Sequence, residues 1–113
     1  MLLGGFGLVL PDWWGWLVGG TSIGSFKGIT FYPAPWVAGT RVVAYFGGVS
    51  HEVRFEVAKD VGVAIEVALN EIGDKTCLIG GNAVVSTELN IEILEGGGFR
   101  LLSLGTAAKL ERL

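Results

Sequence analysis

One histidine and one cysteine, His51 and Cys77, are the strongest metal-ligating groups in the 113-residue chain. A transition-metal site draws three or four ligands from His, Cys, Asp and Glu. In "GVSHEVRFE" the candidates are His51, Glu52 and Glu56, a sparse set that repetition around a symmetry axis would multiply. His51, Glu52 and Cys77 are therefore the candidate ligands for a divalent heavy metal. The plainer reading makes His51 a solvated ring on a strand. It makes Cys77, beside Leu78 and Ile79 near a helix end, a small buried hydrophobe. Ser50 precedes His51, but neighbours on a strand point to opposite faces, so the two do not form a nucleophile–base pair. "GGTSIG" at Gly19–Gly24 and "GGG" at Gly96–Gly98 lack the Walker spacing and its Lys, and read as turns. Asp60, Glu66, Glu71 and Asp74 read as solvated helix carboxylates. No catalytic constellation emerges, and the expectation is a protein that is not an enzyme.

The elements that position these groups carry unusually much apolar material. Hydrophobic residues make up 50% of the chain and charged residues 17%, against about 25% charged in an ordinary soluble domain. The mean hydropathy is +0.57. A chain this short buries only about two-thirds of its surface when it folds alone, so the surplus needs a membrane or another chain to cover it. The best membrane candidate, Met1–Ile23, contains Pro11, Asp12 and repeated glycines, which break a lipid-exposed helix. No Lys or Arg precedes its apolar run, so it also makes a poor signal peptide. Burial against further copies is the better account. A net charge of −3 with eight thinly spread cations leaves no footprint for nucleic acid. A single cysteine fits a reducing, cytoplasmic setting.

Composition changes near position 37. Residues 1–36 hold all four Trp and all three Pro, with Asp12 and Lys27 as their charged side chains. This stretch reads as a Trp/Gly-rich N-terminal arm of extended pieces and turns, and 37–113 as the folded domain. In the domain, Thr40–Phe46 is rich in β-branched and aromatic residues and predicts a strand. Gly47-Gly48 permits a turn or bulge, and Val49–Val57 continues as strand. From Ala58 to Ile79, Val61, Ile65, Ala68, Leu69, Ile72, Thr76 and Ile79 recur at helical spacing. Val63, Val67 and Leu78 widen the apolar arc beyond what one sheet covers. Gly73 weakens the helix and Gly80-Gly81 stops it. "VVSTELNIEIL" alternates with Val85, Thr87, Leu89, Ile91 and Ile93 on one face. "EGGG" at Glu95–Gly98 reverses the chain, and the returning strand carries Leu102, Leu104, Thr106, Ala108 and Leu110 in register. The expected architecture is α+β: a three-stranded antiparallel-type sheet, β-α-β-β, with one helix on a face.

The stretch "ALNEIGDKTCLIGGNAVVSTELNIEI" (Ala68–Ile93), the following hairpin with its "LGTAAKL" (Leu104–Leu110), and "AGTRVVAYFGGVSHEV" together resemble the bacterial YbjQ-like family over Ala38–Leu110. The resemblance implies a dodecin/YbjQ-like subunit that assembles into a ring, typically a pentamer, with sheets joined edge to edge. It also implies a heavy-metal-binding role. The Trp-rich arm lies outside it, and the segment between first strand and helix is shorter here.

The leading expectation is a non-enzymatic, ring-forming homo-oligomer without a cofactor. Its assembly contacts would come from Trp13, Trp14, Trp16, Trp36, Val63 and Val67. Each buried Trp removes about 150–250 Å² from water, enough to anchor an irregular arm. Two alternatives remain: a metal- or small-ligand-binding module with pockets between subunits, and attachment to a membrane surface through the arm.

Overall fold

The computed structural model describes residues 22–113. Among these residues one helix lies across a sheet of five strands, two more than the sequence led us to expect. The strands are β1 (Gly24–Phe26), β2 (Ile29–Phe31), β3 (Thr40–Phe55), β4 (Ala83–Ile93) and β5 (Phe99–Arg112); a 3₁₀ turn, Ala58–Asp60, leads into α1 (Val61–Leu78). Their order across the sheet is β1-β2-β4-β5-β3. Only β2 and β4 run parallel; the other neighbours are antiparallel. The two extra strands come from the stretch assigned to the arm. Residues 22–36 are thus part of the sheet and its connections, while Trp13, Trp14 and Trp16 lie outside the described residues.

The helix buries Ala64, Ala68, Leu69, Ile72 and Thr76, the three-four spacing expected of one face. Leu69 and Ile72 meet Ile29, Phe31 and Val84 in one cluster. Ala64 and Ala68 meet Leu101 in a second. Gly73 has a packing reason for being there: a Cβ would come 3.0 Å from the carbonyl oxygen of Phe26. The missing side chain lets the β1–β2 hairpin close on the helix, and Lys27 reaches Asp74 at 3.4 Å beside it. At the other end the Gly80 amide donates to the Cys77 carbonyl (3.1 Å) and the Gly81 amide to the Thr76 carbonyl (2.9 Å). This pair of bonds is the Schellman ending.

Two departures from simple alternation decide which side chains face the helix. Of the turn or bulge expected at Gly47-Gly48, the structure has the bulge: it is the second of two register shifts, between Val42 and Ala44 and between Tyr45 and Gly47, in a β3 that runs on unbroken. The second departure is in β4. Ser86 takes φ 53°, and the pairing slips between Val85 and Glu88. Ser86 and Thr87 together stand across from Gly105, a bulge that inverts the strand's phase. Val84 on one side of it and Leu89 on the other therefore both pack into the core. The single alternating face running from Val85 through Ile93 does not exist. Gly105 is the residue that fits there, because a Cβ would lie 2.5 Å from Cγ1 of Val84. The hairpin between β4 and β5 closes as expected, with the Leu94 amide donating to the Gly98 carbonyl at 3.0 Å.

Candidate functional site

The sheet pairing separates the sequence-derived metal candidates. His51 stands opposite Ser103, and its neighbours Val49 and Val53 pack into the core, so His51 shares the helix-facing side. Glu52 points to the open side, where it meets Arg54 at 3.2 Å and Arg100 at 3.9 Å. Arg100 also pairs with Glu92. Glu52 thus belongs to a row of charges crossing β3, β5 and β4. Cys77 is exposed, not buried as expected. One position past Thr76, it is turned about 100° away from the sheet. Among the described residues, no three His, Cys, Asp or Glu side chains gather closely enough to hold a metal ion. No helix among them is long and apolar enough to cross a membrane. Two hydroxyls, Thr76 Oγ1 and Ser103 Oγ, are buried without a hydrogen-bond partner among the described residues.

Among the described residues the sheet is left unpaired at three places: the outer side of the three-residue β1, the outer side of β3, and the far half of β4; the last two are long enough to seat another strand. β3 has β5 on one side and nothing among the described residues on the other. Its first half carries both register shifts, and its second half, from Gly48 to Phe55, pairs regularly. β4 is covered by β2 only at its start. The last such contact is the Thr87 amide donating to the Tyr32 carbonyl at 2.9 Å, which leaves Glu88–Ile93 open. Unpaired N–H and C=O groups along such edges are templates for another strand. Lys75 Nζ donates to the Ser50 carbonyl at 2.8 Å, a single covered point on the long β3 edge.

Both edges carry exposed apolar side chains on the same face. Ile91 pairs with Leu101 and Ile93 with Phe99. Leu101 is buried beneath the helix, so Ile91 and Ile93 face the helix side, yet they are 52% and 78% exposed. The reason is length. An 18-residue helix spans about 27 Å, whereas an 11-residue strand spans about 37 Å, so the strand end outruns its cover. On the β3 side, Val53 and Phe55 join Val63 and Val67 of α1 around a groove of about 450 Å³, rimmed by Glu56 and Asp60. Val63 and Val67 are 62% and 43% exposed. Phe55 stacks on Phe99 with ring centres 5.1 Å apart, which stiffens the groove floor. Val63 and Val67 were singled out from helical spacing; Ile91 and Ile93 were not. Comparing strand and helix lengths would have exposed them. Trp36 is half exposed on the loop between β2 and β3.

No protein-family model matches the chain, and no curated protein matches it. Among solved structures it is similar to the crystal structure of a protein with unknown function belonging to the DUF74 family, from Pediococcus pentosaceus. The TM-score is 0.49 at 15% sequence identity, covering 77% of this chain and 100% of that one.

Proposed function

We propose that this protein is a non-enzymatic building block that joins head to tail with copies of itself into a closed ring. The observation that carries the reading is the pair of open edges, β3 and Glu88–Ile93 of β4, on different sides of the molecule. Each brings exposed apolar side chains on the helix-bearing face. Two different complementary surfaces make a heterologous contact, and such contacts form rings when the rotation closes. In the proposed seam the β4 edge of one copy pairs with the regular half of β3 in the next. Ile91 and Ile93 then enter the groove between Phe55 and the Val63–Val67 flank. The apolar surplus of the sequence supports the same reading. The resemblance to YbjQ-like proteins supports five as the ring number, and the single cysteine supports a reducing, cytoplasmic setting.

Cross-linking tests the seam. In a Cys77→Ser background, a chain carrying both Val63→Cys and Ile93→Cys, treated with a short bismaleimide, is expected to give a covalent ladder ending at the closed ring. Each single-cysteine chain gives uncross-linked monomer. A double variant that yields no ladder would refute this pairing of surfaces.

A further inference from the structure

The face of the sheet away from the helix carries a line of charge that runs from one long open edge to the other. Glu92 of β4, Arg100 of β5 and Arg54 of β3 stand side by side in the pairing. Arg100 pairs with Glu92 and, at 3.9 Å, with Glu52. Glu52 in turn holds Arg54 at 3.2 Å. The line therefore ends on a carboxylate at the β4 edge and on a guanidinium at the β3 edge. Arg54 donates to Glu52 through Nε, which leaves its two terminal nitrogens without a hydrogen-bond partner among the described residues. The side chains of Arg54 and Glu92 are 70% and 55% exposed, so both ends of the line face solvent in the single subunit.

Backbone geometry limits how these two edges can meet. β3 and β4 are both antiparallel to β5, so they run in the same direction. With the helix-bearing face continuous from copy to copy, β4 of one copy lies beside β3 of the next in parallel. Turning a copy end for end in the plane would instead bring β3 against β3. The Leu94 amide bonds to the Gly98 carbonyl at the hairpin, so by alternation Glu88, Asn90 and Glu92 spend their backbone groups on β5. Leu89, Ile91 and Ile93 then point theirs out of the sheet edge. The same count carried across β5 points those of Ser50, Glu52 and Arg54 outward on β3. In a parallel ladder a residue bonding across the seam sits beside one that does not, and Arg54 beside Glu92 meets that condition.

Charge then selects among the registers that remain. A slip of one residue turns Ile91 and Ile93 onto the charged face. Slips of two keep the faces but set like charges together: Glu92 beside Glu52 in one direction, Glu88 beside Glu52 and Glu92 beside Glu56 in the other. With Glu92 beside Arg54, Asn90 lies beside Glu52 and Glu88 beside Ser50. On the opposite face Ile91 and Ile93 fall beside Val53 and Phe55, the floor of the groove. We infer that Glu92 of one copy and Arg54 of the next form an ion pair that sets the register of the seam and joins the separate lines of charge into a closed belt. This rests on the head-to-tail ring proposed above and adds what aligns it, because opposite charges side by side stabilise a strand pairing and like charges oppose it.

Cysteine pairs read the register directly, in a Cys77→Ser background. Ser50→Cys with Glu88→Cys brings two Cα atoms to about 4.8 Å across the seam, within the range of about 4.4–6.8 Å that a disulfide spans. Within one copy the two positions flank Leu104 and lie about 10 Å apart. Oxidation is expected to give a covalent ladder ending at the ring. Ser50→Cys with Asn90→Cys, about 8 Å apart across the seam, is expected to give none. Arg54→Glu is expected to raise the concentration at which the ring half-dissociates by about tenfold, with the far-UV spectrum unchanged, and Arg54→Glu with Glu92→Arg to bring it back. A ring of unchanged mass that cross-links only in the 50/90 pair, or in neither, overturns the register and leaves the ring standing. So does Arg54→Glu without effect on dissociation, or a loss that the charge swap does not restore. A single-chain native mass for the unsubstituted protein overturns the ring itself, and the two edges then await a partner other than a copy.

Discussion

Replacing Val63 and Val67 together by glutamate is expected to release single chains of 11.9 kDa with native secondary structure. Val63 is mostly solvated in the single subunit and Val67 is partly so, at 62% and 43% exposure, so the substitutions cost the isolated fold little. In the proposed seam they would place two carboxylates per contact opposite Ile91 and Ile93, beside Glu56 and Asp60, where the one cation lining the groove, Arg54, is already paired with Glu52. Stripping water from an unpaired carboxylate costs several kcal/mol, and a ring repeats that cost at each contact. Native mass and far-UV circular dichroism on one sample read the result. A double variant that keeps the parent mass removes the helix flank from the seam.

Gly105→Ala is the second large effect. The new methyl carbon would start 2.5 Å from Val84 Cγ1 and 3.2 Å from the Val85 carbonyl oxygen. Relief requires moving either a core valine with no exposed surface or the backbone of the bulge. Overpacking of this kind costs about 1–3 kcal/mol. In a domain of this size that lowers the melting temperature by roughly 5–20 °C. Gly62→Ala is the control. It sits in the helix with open space around its would-be Cβ, and it should stabilise by up to about 1 kcal/mol through helix propensity. Equal and small shifts in both variants would mean that the bulge yields easily and that Gly105 is not what holds its shape.

The helix and the β4–β5 hairpin were legible because their signals are long. The 18 helical residues carry an apolar stripe through about five turns, and Gly80-Gly81 marks the end with the right chemistry. β1 and β2 were not legible because each is three residues long, too short for alternation to rise above the glycines and aromatics around it. The bulge at Ser86 hid for the opposite reason. The sequence on both sides alternates so regularly that one register explains all of it, and only the pairing with β5 reveals the extra residue. Cys77 was misplaced by weighing its apolar neighbours Leu78 and Ile79 above its angle from Thr76. Those neighbours are themselves exposed, at 87% and 46%. For the candidate site, half of the pattern was readable. Val63 and Val67 stood out as a helix arc too wide for one sheet. The matching surface, Ile91 and Ile93, depends on where the helix ends relative to the strands, which is a property of packing and not of spacing.

The most direct test of the head-to-tail ring is the native mass of the full chain at micromolar concentration. The account expects one species of about 60 kDa, five times 11.9 kDa, unchanged on dilution because a closed ring has no free ends. A single species of 11.9 kDa would contradict it, as would an open-ended series of masses that grows with concentration.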